Sequence, residues 1–202
     1  MHTNGQFPAA NMPELFQGRG TRAYDRIARW LLRGLYTRIA EDVADVAPDN
    51  GTVLDVGTGP GVLVAEIARR RADLRITGVD LSADMVAAAQ RNLGPFGARA
   101  AARVGDVTDL PFPDDSFDLI VSSFSLHHWD DPDGAVPELA RVLKPGGRLA
   151  VYDFERAPFD MLVSAARSRS LLTGRPARRD LIRTGVPVFP RCARHVMTAA
   201  PA

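Results

Sequence analysis

Between Tyr24 and Val46 apolar residues return at helical spacing, through Ile27, Trp30, Leu31, Leu35, Ile39 and Val43, and predict one long amphipathic helix. Pro48 and Gly51 end it. Beyond Gly51 the period changes. Short apolar runs at 52–56, 75–79, 99–104, 118–122 and 148–154 alternate with stretches of helical periodicity at 62–71 and 83–92. Ser82 is placed to cap the second of those helices. A further helix, starting at Pro132 and carrying Leu139, Val142 and Leu143, is stopped by the Lys-Pro-Gly-Gly at 144–147; Pro137 inside it predicts a kink or the true start.

Parallel neighbours in a sheet need crossovers, so strands that alternate with helices predict a doubly wound α/β sheet covered on both faces. The last 48 or so residues read differently. They hold an amphipathic helix near 158–172 and two weak strand candidates, 181–184 and 194–198, with TGVPVFP as a connection between them. Residues 1–22 carry Asn, Gly, Gln and Pro without periodicity and read as a flexible amino-terminal arm. The expected organisation is therefore that arm followed by a single domain over 23–202. Within it, 23–47 is the first helix, 50–154 a core, and 155–202 a carboxy-terminal helix with edge strands.

Composition adds bounds. A chain of 202 residues with 46% apolar content can bury one sizeable core but hardly two. Its 25 basic and 24 acidic residues leave a formal charge of +1, so no global field pulls it toward nucleic acid or an anionic membrane. A single cysteine, Cys192, forms no internal disulfide, no apolar run is long enough to span a bilayer, and no secretory signal opens the chain. A cytoplasmic location is the expectation.

The candidate chemistry starts at VLDVGTGPGVL, residues 53–63. Three alternating glycines, Gly57, Gly59 and Gly61, follow the first strand, at the end of the sheet where α/β proteins bind ligands. Gly57 takes the turn, Gly59 lets the backbone approach a ligand, and Gly61 relieves packing where the next helix begins. Asp80 ends the second strand about 20 residues later, where a carboxylate can accept from ribose hydroxyls. Asp106 follows the third. One such aspartate is weak; three successive strands with one at each end is a stronger coincidence. A nicotinamide dinucleotide would ask for G-x-G-x-x-G and an anion-binding turn, whereas here the third glycine is shifted and Asp55 precedes the turn. That carboxylate suits a ligand presenting a cation.

Together, VLDVGTGPG, GVDLS at 78–82, GDVTDLPFPDDSFDLIVSSFSLHHW at 105–129 and ARVLKPGGRLAVYD at 140–153 resemble the class I S-adenosylmethionine-dependent methyltransferases, nearest the small-molecule and ubiquinone-biosynthesis-like branch. The resemblance covers about 50–154. It implies a Rossmann-like, mostly parallel sheet of about seven strands, the last antiparallel, and S-adenosylmethionine as cofactor. It also implies that Gly57, Gly59 and Gly61 face the methionine part, with Asp55 near its amino group and Asp80 on the ribose. Asp106 and the Val107 amide would meet the adenine edge, Leu81 and Met85 its faces, and the backbone near Ser123 and Phe124 would close the site. Tyr24 is the candidate aromatic from the first helix. The implied function is methyl transfer to a small or medium organic acceptor. A non-catalytic cofactor-binding subunit and, less favoured, a nicotinamide-dependent oxidoreductase are the alternatives.

Methyl transfer from a sulfonium needs alignment before it needs acid–base help, so a base is optional. If the acceptor must lose a proton, His127 or His128, just past the fourth strand, is placed to take it, and His128 is the preferred candidate. The HHWDDPD run is poor metal-site text, because adjacent histidines diverge and the aspartates suit helix caps. No Gly-x-Ser-x-Gly is present. The arginines at 167, 169, 175, 178, 179, 183, 191 and 194, with Asp180 among them, read as a solvated face; the scarcity of stacking aromatics makes nucleic acid an unlikely partner. An acidic small molecule stays open, and a homodimer through the sheet edge is the other partner considered.

Overall fold

The computed structural model describes residues 22–186 and 189–201, with side chains described over 34–185 and 190–201. Apart from Arg22, the predicted arm therefore lies outside the described residues. Helix α1, Arg22–Val46, leads into β1, Thr52–Val56, and α2, Val62–Arg70. The alternation continues with β2, Arg75–Asp80, α3, Ala83–Leu93, β3, Ala100–Val104, β4, Phe117–Ser123, and α4, Pro132–Val142. It closes with β5, Leu143–Asp153, α5, Phe159–Ser168, β6, Arg175–Val186, and β7, Phe189–Thr198. The sheet has seven strands in the order β3-β2-β1-β4-β5-β7-β6, parallel through β5, with β7 antiparallel to both β5 and β6.

Two apolar layers sandwich the sheet, and the alternation of side chains along each strand decides which layer each residue enters. Val53, Leu119, Val121, Ala150 and Tyr152 pack with α1, α2 and α3 on one face. Their neighbours Leu54, Ile120, Leu149 and Val151 pack with α4 and α5 on the other. Helix α1 is also pinned by polar contacts, because Asp42 accepts from the Tyr152 hydroxyl and from the Arg194 guanidinium. No described helix is long and apolar enough to cross a membrane.

Three expectations are corrected. The helix α4 runs unbroken through Pro137, capped by Asp131 Oδ1, which accepts from the Gly134 amide at 2.8 Å. Leu143 lies not in that helix but at the start of β5, whose span includes the Lys-Pro-Gly-Gly; the ladder with β4 shifts register there, between Phe117 and Leu119. The weak strand candidates are the middle and end of two long strands. Six arginines across the two strands masked them, since their strand character comes from pairing with each other and with β5 rather than from apolar alternation.

Candidate functional site

The carboxyl ends of β1, β2 and β3 lie side by side, and the glycine turn fills the space between them. Asp55 is completely buried within β1. Its Oδ2 accepts from the Thr58 hydroxyl at 2.8 Å, while Oδ1 has no hydrogen-bond partner. Burial, against the Thr58 bond and with some help from Asp80, pushes its pKa up to about 7. A buried carboxylate oxygen left without a donor is costly, and it is the kind of group a ligand ammonium would satisfy. Tyr36 of α1 packs against the same core layer. Burial and then the Asp55 charge push its hydroxyl up to about 12.

The three glycines have different neighbours. All have positive φ, at 72°, 52° and 75° for Gly57, Gly59 and Gly61. A side chain at Gly57 would begin 1.9 Å from Ser125 Oγ, and one at Gly61 would begin 3.1 Å from the Ala89 side chain of α3. Above Gly59 nothing described lies within 4 Å. Gly57 and Gly61 are therefore small for the sake of other parts of the protein; open room for a ligand exists over Gly59. Asp80 holds that turn in shape, its Oδ2 accepting from the Gly59 amide at 2.8 Å and its Oδ1 from the Ser82 amide at 2.9 Å. Each oxygen keeps a second acceptor site for a ligand hydroxyl.

Next to Asp80, Leu81 and Met85 expose 72% and 45% of their surface, which is unusual for large apolar side chains and suits a flat apolar ligand part. Asp106, exposed beyond β3, has its Oδ1 bonded by the Thr108 amide and hydroxyl, both at 2.8 Å, and these donors hold its pKa below the usual carboxylate range. Val107, half-buried, follows it. On the other side of the turn Ser123 is buried, and Phe124 takes a left-handed backbone at φ 52° while its amide donates to the Tyr152 carbonyl at 2.8 Å. Tyr24 falls in the first turns of α1, and its side chain lies outside the described residues.

The loop after β4 crosses to β5. Ser125, pressed against Gly57, accepts from Trp129 Nε1 at 2.8 Å. Asp153, fully buried at the end of β5, accepts from the backbone amides of His127 at 3.1 Å and Phe154 at 2.7 Å. It also lies 2.8 and 3.0 Å from His127 Nδ1. In the neutral ring an acceptor so placed assigns the proton to Nδ1 and the lone pair to Nε2. His128, the residue preferred from sequence, is exposed beside it, with ring centroids 4.0 Å apart and its pKa lowered by burial and by His127. Asp153, Thr58, Ser125 and Tyr36 were not singled out from sequence. Only Asp153 had a legible signal, as the fourth aspartate at or near a strand end.

A family model described as "Methyltransferase domain" matches residues 54–151. The ubiquinone/menaquinone biosynthesis C-methyltransferase UbiE of Geotalea daltonii is 37% identical over 142 residues, covering 67% of this chain and 60% of that protein. The demethylmenaquinone methyltransferase of Thermus thermophilus is 34% identical over 137 residues, covering 67% and 62%. The chain thus spans about 60% of the length of these two curated relatives. The crystal structure of a SAM-dependent methyltransferase from Aquifex aeolicus superposes with a TM-score of 0.66 at 21% identity, covering 86% of this chain and 93% of that one; at that identity the likeness speaks for the fold.

Proposed function

We propose that the chain is a class I S-adenosylmethionine-dependent methyltransferase of the ubiquinone-biosynthesis-like branch, which methylates a small or medium organic acceptor whose nucleophile loses a proton. The observation that carries this is the placing of Asp55 and Asp80 against an open glycine turn, one buried carboxylate oxygen still lacking a donor, with Asp106 past the end of the next strand in the sheet. S-adenosylmethionine supplies an activated methyl group on a sulfonium. Asp55 would receive its ammonium, Asp80 its ribose hydroxyls, and Asp106 with the Val107 amide its adenine edge, between Leu81 and Met85. Ser123 and Phe124 bound the site toward β4, and Tyr24 is retained as the candidate cover from α1.

On the acceptor side, Asp153 orients His127 and holds its proton on Nδ1, so Nε2 can take the acceptor's proton as the new bond to carbon forms. The exposed His128 beside it is the alternative base. The Geotalea daltonii relative is named a C-methyltransferase, and a ring carbon activated by a neighbouring hydroxyl fits the same requirement for proton removal. In this reading the reaction runs in the cytoplasm.

Calorimetric titration with S-adenosylhomocysteine tests the cofactor assignment. Asp80→Ala should weaken binding at least about tenfold, roughly 1.4 kcal/mol, because it removes both the ribose acceptor and the brace on the Gly59 amide. Unchanged affinity would reject the assignment. Turnover is tested with methyl-labelled cofactor against a panel of phenols, hydroxy acids and quinol precursors. On an acceptor so found, His127→Gln should lower kcat by about 10²-fold or more while leaving S-adenosylhomocysteine affinity intact. If only the matching change at His128 has that effect, His128 is the base.

A further inference from the structure

The residues assigned to the cofactor's ammonium, ribose and adenine occupy the ends of β1, β2 and β3, and Ser123 and Phe124 bound that site toward β4, so the space left for an acceptor lies over the ends of β5 and the β6–β7 hairpin. The register shows what the hairpin presents there. Asp153, which holds His127, is directly opposite Ala193, and Ala193 is opposite Leu181. Ala193 packs in the same apolar layer as Val151, so this row faces α4 and α5. Two residues further toward the cleft, the next row on that face consists of Arg191 directly opposite Arg183. Both are exposed. Two residues along a strand and one strand across place Arg191 about 7 Å above and about 5 Å beside the Asp153 position, with Arg183 one strand further out.

Like charges directly opposite on one face of an antiparallel pair are unfavourable. Of the hairpin's other arginines, all but Arg175 are engaged by the protein. Arg194 bonds Asp42 and Asp180, and Arg178 bonds Asp180. Arg179 donates to the Glu155 carbonyl and lies over the Phe159 ring. Of the facing pair, Arg191 shares a half-exposed ion pair with Glu155 at 3.2 Å, and Arg183 has no partner among the described residues. One carboxylate therefore stands against two guanidinium groups at the rim of the acceptor cleft. Arg175 also lacks a described partner, but it sits opposite Thr198, at the far end of the hairpin from the cleft.

We propose that Arg183 and Arg191 form an oxyanion subsite at the acceptor cleft, which binds a carboxylate or phosphate carried by the acceptor and so selects acidic acceptors. This rests on the methyltransferase reading of the cleft. Bidentate guanidinium contacts to either group give orientation as well as affinity, and they would fix the acceptor's reacting atom relative to His127.

The test uses benzoate and phenyl phosphate as probes, with benzamide as the neutral control, each titrated into the 202-residue chain. Arginine Nε–H resonances and calorimetry are the readouts, and S-adenosylhomocysteine affinity is measured in parallel. Benzoate or phenyl phosphate should shift the Arg183 and Arg191 signals while benzamide does not; which anion binds tighter identifies carboxylate or phosphate. Arg183→Gln with Arg191→Gln should weaken anion binding about tenfold or more and leave S-adenosylhomocysteine affinity unchanged, since both side chains are exposed and β5 stands between their strands and the nearest cofactor residues. Equal binding of benzamide, or anion binding that survives the double substitution, overturns the subsite while the methyltransferase reading stands. Failure of the wild-type chain to bind S-adenosylhomocysteine overturns that reading instead.

Discussion

Gly57→Ala is expected to destabilise the protein by roughly 2–5 kcal/mol and to abolish cofactor binding with it. Two independent penalties meet at this residue. Its φ of 72° costs an alanine about 1–2 kcal/mol. The added methyl would also start 1.9 Å from Ser125 Oγ and 2.4 Å from Ser125 Cβ, an overlap that typically costs about 1–3 kcal/mol to relieve. Relief requires the loop after β4 to withdraw, and that loop carries His127. Thermal unfolding should show a midpoint lowered by roughly 5–15 °C. Gly59→Ala is the internal comparison: its φ is 52°, with no described atom within 4 Å, so it bears only the backbone penalty and should lose cofactor affinity with a much smaller loss of stability. Equal unfolding midpoints for the two variants would contradict the assignment of Gly57 to Ser125 and of Gly59 to the ligand.

Asp55→Asn should raise stability above pH 7 in the ligand-free protein while weakening S-adenosylmethionine binding. Burial first, opposed by the Thr58 hydroxyl and aided by Asp80, lifts this carboxyl to about 7 in the folded state, against 3.8 for an ordinary aspartate. Between those two values the folded protein keeps a proton that the unfolded chain has released. The folded state therefore binds more protons, and the contribution of Asp55 to unfolding free energy falls as pH rises from about 4 to about 7, then levels off. The full span is on the order of 4 kcal/mol. Asparagine is nearly isosteric and never ionises, so denaturant unfolding at several pH values should show that slope in the wild type and lose it in the variant. The loss of affinity has the same origin, since a neutral amide cannot answer an ammonium with opposite charge. Parallel slopes for the two proteins would show that the buried carboxyl does not titrate in this window.

Much of this protein was legible before any tertiary information, for a local reason. Apolar period, Ser82 as a cap, the glycine turn and an aspartate at successive strand ends are features of contiguous residues, so β1, β2, β3, α2 and α3 and the carboxylates beside them follow from short-range rules. What those rules could not reach depends on partners far along the chain. Asp153 meets His127 from 26 residues away and thereby distinguishes it from the adjacent His128, which local reading preferred. Ser125 explains Gly57 from the opposite side of the turn, and Tyr36 approaches the β1 residue Asp55 from helix α1. The arginine-rich hairpin is the clearest case: taken alone it reads as a solvated tail. Antiparallel pairing against β5 makes it sheet, because backbone hydrogen bonding there depends on a neighbouring strand rather than on the residues' own preferences, and the same register sets Arg183 opposite Arg191 at the cleft.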